Sequence, residues 1–143
     1  MEKAVDFEAE TQLGKIKIGE LKKWVVLYFY PKDNTPGCTK EAKSFNELLD
    51  EFEKLNAAVI GVSTQSVESH KKFAEKLGLR FPLVADVNKK ISSSYGVLKE
   101  NGKTAKRTTF LIDPEMNIVK VWKNVKVDGH AEDVLKTLKD ILS

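Results

Sequence analysis

Val25-Val26-Leu27-Tyr28-Phe29-Tyr30 is β-branched or aromatic at nearly every position and has no polar residue in alternation. Such a run fits a strand buried on both faces, and Pro31 ends it. Ala58-Val59-Ile60-Gly61-Val62-Ser63 reads the same way. Between them Ala42, Phe45, Leu48, Leu49, Phe52 and Leu55 recur at helical spacing, with Glu, Lys and Asp opposite. Two strands without a polar face, joined through a helix, predict a βαβ unit with a parallel pair. The rest of the chain must then supply cover for both faces of that sheet.

The remaining segments fill in such an architecture. Ser66 to Leu77 predicts a second helix, with Val67, Ala74 and Leu77 on one face and Gly78 as its stop. Phe81 to Ala85 predicts a short strand, and Asn88 to Tyr95 a short helix with Ile91 and Tyr95 turned inward and Gly96 as its stop. Arg107 to Asp113 and Ile118 to Lys123 flank Asp113-Pro114-Glu115-Met116-Asn117 and predict an antiparallel hairpin. His130 to Leu142 predicts a closing helix whose inner face carries Ala131, Val134, Leu135, Leu138, Ile141 and Leu142. With a weak N-terminal hairpin in front, the order is β-α-β-α-β-α-β-β-α. This is an α/β chain with a mixed central β-sheet flanked by helices, in a thioredoxin-like order. Its 143 residues fit a single domain over residues 1–143.

Charge and cysteine content narrow the function. The net charge is +3 with both signs interspersed, which argues against nucleic acid as a partner. The longest apolar run, Trp24 to Tyr30, is far short of the roughly 20 residues a membrane span needs. Met1 to Asp6 has no apolar stretch of the leader type. One Cys forms no intrachain disulfide and suits a reducing, cytoplasmic setting. His70 and His130 lack metal-ligand spacing. His70 is expected on a solvated, Lys-rich helix face and His130 at a helix start. Trp24 and Trp122 are expected as core or sheet-surface aromatics, and Lys71, Lys72, Lys89 and Lys90 as solvated.

The stretch Tyr30-Pro31-Lys32-Asp33-Asn34-Thr35-Pro36-Gly37-Cys38-Thr39-Lys40-Glu41 holds the single cysteine. It joins the end of a buried strand to the start of a helix, where sites of open α/β sheets lie. Cys38 falls in the first helical turn, where unpaired N–H groups and the positive end of the helix dipole favour a thiolate. A free Cys is also a small buried hydrophobe. Cys38 is read as out of phase with the apolar stripe that begins at Ala42, which favours a reactive role without deciding it.

Pro31-x-x-x-Thr35-x-x-Cys38 resembles the active-site motif of the peroxiredoxins. The longer string from Phe29 to Ala42 resembles the peroxiredoxin Q branch, also called bacterioferritin comigratory protein. Ile60 to Thr64, Ser69 to Phe73, Phe81 to Leu83, Tyr95 to Val97, Arg107 to Asp113 and Asp128 to His130 are similar to the same branch, covering roughly residues 20 to 143. The resemblance implies a thiol-dependent peroxidase acting on hydrogen peroxide and organic hydroperoxides, with no metal or haem cofactor. Cys38 matches the peroxidatic cysteine, whose thiolate attacks a peroxide oxygen and becomes a sulfenic acid. Thr35 matches the hydroxyl that contacts sulfur and peroxide, Pro31 the shielding proline, and Arg107 the arginine that favours thiolate and stabilises the leaving oxygen. Glu41 is expected to orient Arg107, or to be an exposed helix glutamate. The backbone N–H groups of Gly37 and Cys38 are expected to face the substrate.

The sequence departs from the branch at one position. Many members carry a resolving cysteine five residues after the peroxidatic one, and Lys43 stands there. The resemblance then implies a one-cysteine mechanism with an external reductant, either a thioredoxin-like or glutaredoxin-like protein or a small thiol. The branch tends toward monomers or weak dimers. The competing reading is a catalytically weak thioredoxin-like binding or holdase scaffold. A dithiol oxidoreductase is excluded because Glu41 occupies the second position of Cys38-x-x-Glu41.

Overall fold

The computed structural model describes residues 2–143. Its strands are β1 (Glu8–Thr11), β2 (Gly14–Lys17), β3 (Trp24–Phe29), β4 (Ala57–Ser63), β5 (Leu83–Ala85), β6 (Thr108–Ile112) and β7 (Ile118–Trp122). Its helices are α1 (Pro36–Glu47), α2 (Leu49–Lys54), α3 (Val67–Leu77), α4 (Lys90–Ser94) and α5 (His130–Leu142). All seven strands lie in one sheet, in the order β2-β1-β5-β4-β3-β6-β7. β3 and β4 pair in parallel, as do β4 and β5, while β6 runs antiparallel to β3 and β7 antiparallel to β6. The sheet is mixed, as the sequence predicts. The N-terminal hairpin extends it beyond β5 through the pair Thr11 and Val84.

Strand alternation divides the core in two. On one face Val26, Tyr28, Tyr30, Val59 and Leu111 pack with Ala42, Phe45, Leu49, Phe52, Phe73, Val134 and Leu138, which come from α1, α2, α3 and α5. On the other face Val25, Leu27, Phe29, Ile60, Val62, Phe110 and Ile112 are covered by the N-terminal segment and by Ile91 and Tyr95 beside α4. β3 and β4 are therefore buried on both sides, the condition that their unbroken apolar runs demand. α3 begins on Ser66, whose Oγ accepts from Ser69 N at 3.1 Å, and stops at Gly78 with φ 66°. That left-handed turn costs glycine little.

Three expectations are corrected. The helix predicted through residues 42–55 is two helices with Leu48 at the junction (φ −97°, ψ 4°). Asn46 O, near the end of α1, accepts from Arg80 Nη2 at 3.2 Å, so part of its bonding is met outside the helix. The apolar spacing continues across the bend, which is why periodicity does not reveal it. Ile141 and Leu142 are 41% and 45% exposed, because their stripe runs past Leu138, the last buried position of α5. His70 is fully buried, since residues 70, 73, 74 and 77 share one face of α3 and that face is the packed one.

Phe45 is fully buried, stacks on Tyr28 at 4.7 Å between ring centroids, and lies edge-on to His130. Phe45→Ala should lower unfolding stability by about 3–5 kcal/mol. The check is urea unfolding followed by tryptophan fluorescence and circular dichroism.

Candidate active site

The βα loop after β3 opens at the C-terminal ends of the parallel strands, where side chains from several elements converge. Thr35 is the N-cap of α1 and Pro36 its first residue, which puts Cys38 in the first turn. Pro at this position suits a helix start, because its missing N–H would have had no partner there. Cys38 is the chain's one cysteine and is only 1% exposed. It packs in the same cluster as Ala42, Phe45 and Leu49. Positions 38, 42, 45 and 49 follow helical spacing, so the reading of Cys38 as out of phase is corrected. The sulfur lies on the buried stripe of α1, and its charge depends on what is buried with it.

That partner is Arg107. β6 runs antiparallel to β3 with Thr108 opposite Phe29. Arg107, one residue earlier, therefore stands at the sheet end where the cysteine loop begins. Val125 N donates to Arg107 O at 3.2 Å and fixes its backbone. Arg107 Nη2 donates to Cys38 Sγ at 3.3 Å, and Nη1 donates to Glu41 Oε1 at 2.7 Å. The Arg107 side chain is 19% exposed and that of Glu41 is 1% exposed. Of the two readings of Glu41, the exposed helix glutamate is excluded and the partner of Arg107 stands. Gly37 makes room for the guanidinium, since a Cβ there would stand 3.2 Å from Arg107 Nη2.

The charges of this cluster are set by opposing effects. Burial works against the Arg107 cation, but Glu41 and Cys38 outweigh it and raise its proton affinity above the ordinary value. Burial pushes Glu41 up to about 7 against the pull of Arg107. Among the described residues, Glu41 Oε2 has no hydrogen-bond partner, nor has the buried Tyr28 hydroxyl. Thr109, two residues along the same face as Arg107, bonds His130 Nε2 through Oγ1 at 2.8 Å. Burial holds His130 down to about 4, with the Arg107 charge acting the same way and Asp133 opposing. His130 opens α5, as expected, and is neutral at physiological pH.

Thr35 is half-buried, and its hydroxyl donates to Lys32 O at 2.9 Å. It makes no hydrogen bond to Cys38 Sγ among the described residues. With its proton committed to a carbonyl, Thr35 Oγ1 is free to accept. It caps no N–H of α1. Gly37 and Cys38 N–H, which helix geometry leaves without intrahelical partners, are thus not taken up by that hydroxyl. Pro31 is half-buried at the mouth of the loop, and Lys43 is exposed on α1.

Sequence reading missed a second cluster in the same loop. Asp33 is 4% exposed, and its carboxylate bonds the Tyr30 hydroxyl at 2.6 Å, Ser69 Oγ at 2.7 Å and His70 Nδ1 at 2.7 Å. The phase of His70 with Phe73 and Ala74 was the available signal that this histidine is buried. Among the described residues no group of three or more His, Cys, Asp or Glu is arranged to hold a metal ion. No helix is long and apolar enough to cross a membrane.

Glu41 predicts a pH dependence. The folded protein keeps the Glu41 proton to higher pH than the unfolded chain does, so this group's contribution to stability falls as pH rises from the ordinary carboxylate range to about 7. Glu41→Gln should remove that fall. Its stability relative to the parent should climb across the window and level off above it, as read from urea unfolding at a series of pH values.

Residues 1–121 match the AhpC/TSA family. Among curated proteins, the chain is 48% identical to Peroxiredoxin Bcp of Xanthomonas campestris over 122 residues, covering 81% of this chain and 76% of that protein. It is 45% identical to Peroxiredoxin Bcp of Bacillus subtilis, covering 98% and 94%. Among solved structures, the bacterioferritin comigratory protein of Xanthomonas campestris superposes with a TM-score of 0.90 at 41% identity, over 96% of this chain and 92% of that one. Peroxidoxin BcpB of Mycobacterium tuberculosis superposes with a TM-score of 0.92 at 38% identity, over 99% and 97%. The chain belongs to the AhpC/TSA family and, within it, to the peroxiredoxins of the Bcp and peroxiredoxin Q type.

Proposed function

We propose that this thiol peroxidase reduces hydrogen peroxide and organic hydroperoxides at Cys38 and returns to its thiol state with an external thiol. The observation that carries the reading is the Arg107 guanidinium held 3.3 Å from the sulfur at the start of α1. A fixed cation inside a site sheltered from water favours the thiolate and stabilises charge on the departing oxygen. The Cys38 thiolate forms a bond to the terminal peroxide oxygen while the O–O bond breaks. The other oxygen leaves with the electron pair, takes up a proton and departs as water or an alcohol. Sulfur is oxidised to sulfenic acid and the peroxide is reduced.

Thr35 Oγ1, already donating to Lys32 O, would accept a hydrogen bond from the peroxide hydroxyl and so orient it. The N–H groups of Gly37 and Cys38 would donate to it. Pro31 would limit water at the sulfur, and Glu41 would hold Arg107 in place. A scaffold without turnover would have no use for a buried cation aimed at a thiol, and that reading is set aside.

With one cysteine in the sequence, resolution needs an outside partner. A thioredoxin-like or glutaredoxin-like protein or a small thiol would attack Sγ of the sulfenic acid, releasing water and leaving a mixed disulfide. A second thiol would then free Cys38 and depart in a disulfide with the first. We place the protein in the cytoplasm, where thiols are kept reduced. It would act as one domain spanning residues 1–143, as a monomer or weak dimer.

One equivalent of hydrogen peroxide should add one oxygen atom to the reduced protein by intact mass, and Cys38→Ser should abolish this and all thiol-dependent peroxide consumption. Arg107→Ala should slow the reaction by about 10²–10³ while circular dichroism stays unchanged. A parent protein no faster than a free thiol would overturn the reading. Excess peroxide with little thiol should inactivate the enzyme as Cys38 gains a second oxygen, since no internal cysteine intercepts the sulfenic acid. Mass spectra of the inactivated protein check this.

A further inference from the structure

The segment from Pro31 to Thr35 leads from β3 into the first turn of α1, which carries Cys38, and its middle is anchored to another part of the fold. Lys32 and Asn34 are exposed, while Asp33 between them is 4% exposed. The Asp33 carboxylate turns inward and meets three partners. Oδ1 accepts from the Tyr30 hydroxyl at 2.6 Å, and Oδ2 accepts from Ser69 Oγ at 2.7 Å and faces His70 Nδ1 at 2.7 Å. The Asp33 backbone N–H donates to Gln65 Oε1. Gln65 precedes α3, and Ser69 and His70 lie on its first two turns. The loop is thus tied to a different helix from the one that carries Cys38.

His70 is fully buried, and its Nε2 stands 2.9 Å from Val84 O in β5. A carbonyl only accepts, so Nε2 carries a proton. Nδ1 faces the Asp33 carboxylate, with the Tyr30 hydroxyl 3.4 Å away. The two side chains form a buried pair held by hydrogen bonds to Tyr30, Ser69 and Val84. Burial alone would raise Asp33, but the bonds from His70, Tyr30 and Ser69 outweigh it and hold the carboxyl below its usual range. A buried pair of this kind is weak evidence for stability and is better understood through what it positions.

What it positions is the segment that runs directly into the helical turn bearing Cys38, whose sulfur is only 1% exposed. A peroxide is small enough to reach a recessed thiolate, and its alignment depends on where Thr35 stands. The thiol of a reductant is attached to a larger body and needs the segment to move. We infer that Asp33 and His70 are positioning residues which clamp the 31–35 segment before Cys38, favouring the peroxide step and opposing access by larger thiols. This rests on Cys38 being the peroxidatic thiol.

The test compares two rates in the full chain, oxidation of Cys38 by hydrogen peroxide and alkylation of Cys38 by a bulky maleimide. Asp33→Asn and His70→Gln should each slow the peroxide step by about tenfold or more and speed alkylation, with unchanged circular dichroism. Combining them should add little, because the two residues act as a unit. Removing one member of a buried pair can unfold a protein. Ser69→Ala, which deletes a single bond to Asp33, therefore provides a milder variant, with shifts of about threefold in the same opposite directions. A folded variant with the peroxide rate unchanged, or with both rates falling together, overturns the clamp. If the parent protein fails to react with peroxide, the assignment of Cys38 fails instead.

Discussion

A thiol that is only 1% exposed, as Cys38 is, can carry negative charge only beside a cation, because water does not reach it. Arg107 is that cation, and much of the surrounding structure serves to hold it there. The antiparallel register of β3 with β6 brings it to the correct end of the sheet. Gly37 leaves space for the guanidinium against α1, and Glu41, one turn after Cys38, takes its other amino group. Thr109 and His130 lock α5 onto the same strand two residues on. Sulfur, guanidinium and the Glu41 carboxyl form a hydrogen-bonded row inside a water-poor site. Each neighbour is tuned by burial as much as by its partner.

The loop between β3 and α1 is held by two independent sets of bonds. One is local, with the Thr35 hydroxyl on Lys32 O and the first helical bond from Thr39 N to Thr35 O. The other is long-range, with Asp33 tied to α3. Its hold on the loop belongs to the tertiary fold, since Ser69 and His70 are more than thirty positions from Asp33. Division of labour follows. α1 supplies the helix start and the thiol, the residue before β6 the guanidinium, and α3 the anchor for the segment that leads into α1.

Particular residues show how much was legible in the sequence. The parallel pair was readable because Val25 to Tyr30 and Ala58 to Ser63 leave no polar face to turn toward water. α3 was readable to within one residue, since Ser66 and Gly78 are chemically suited to cap its two ends. Cys38 as a helix-start thiol followed from Pro36 and the strand before it. Besides the phase of Cys38, three features misled. The stripe of α5 continued into Ile141 and Leu142, which lie past its last buried position, Leu138. Leu48 broke a helix whose apolar spacing does not break. Adjacent lysines disguised His70, although its phase with Phe73 places it inside.

By itself, the sequence determined the α/β class, the mixed sheet, the loop bearing Cys38 and the peroxiredoxin resemblance. These are matters of local pattern, in which hydrophobic period, turn chemistry and motif spacing are properties of neighbours along the chain. Only the tertiary structure decided that Glu41 is buried on Arg107, that Arg107 touches the sulfur, and that Asp33 and His70 form one buried pair. Each of those joins residues separated by tens of positions. Their energetics depend on how much water the packed sheet and helices exclude, which no run of neighbouring residues encodes.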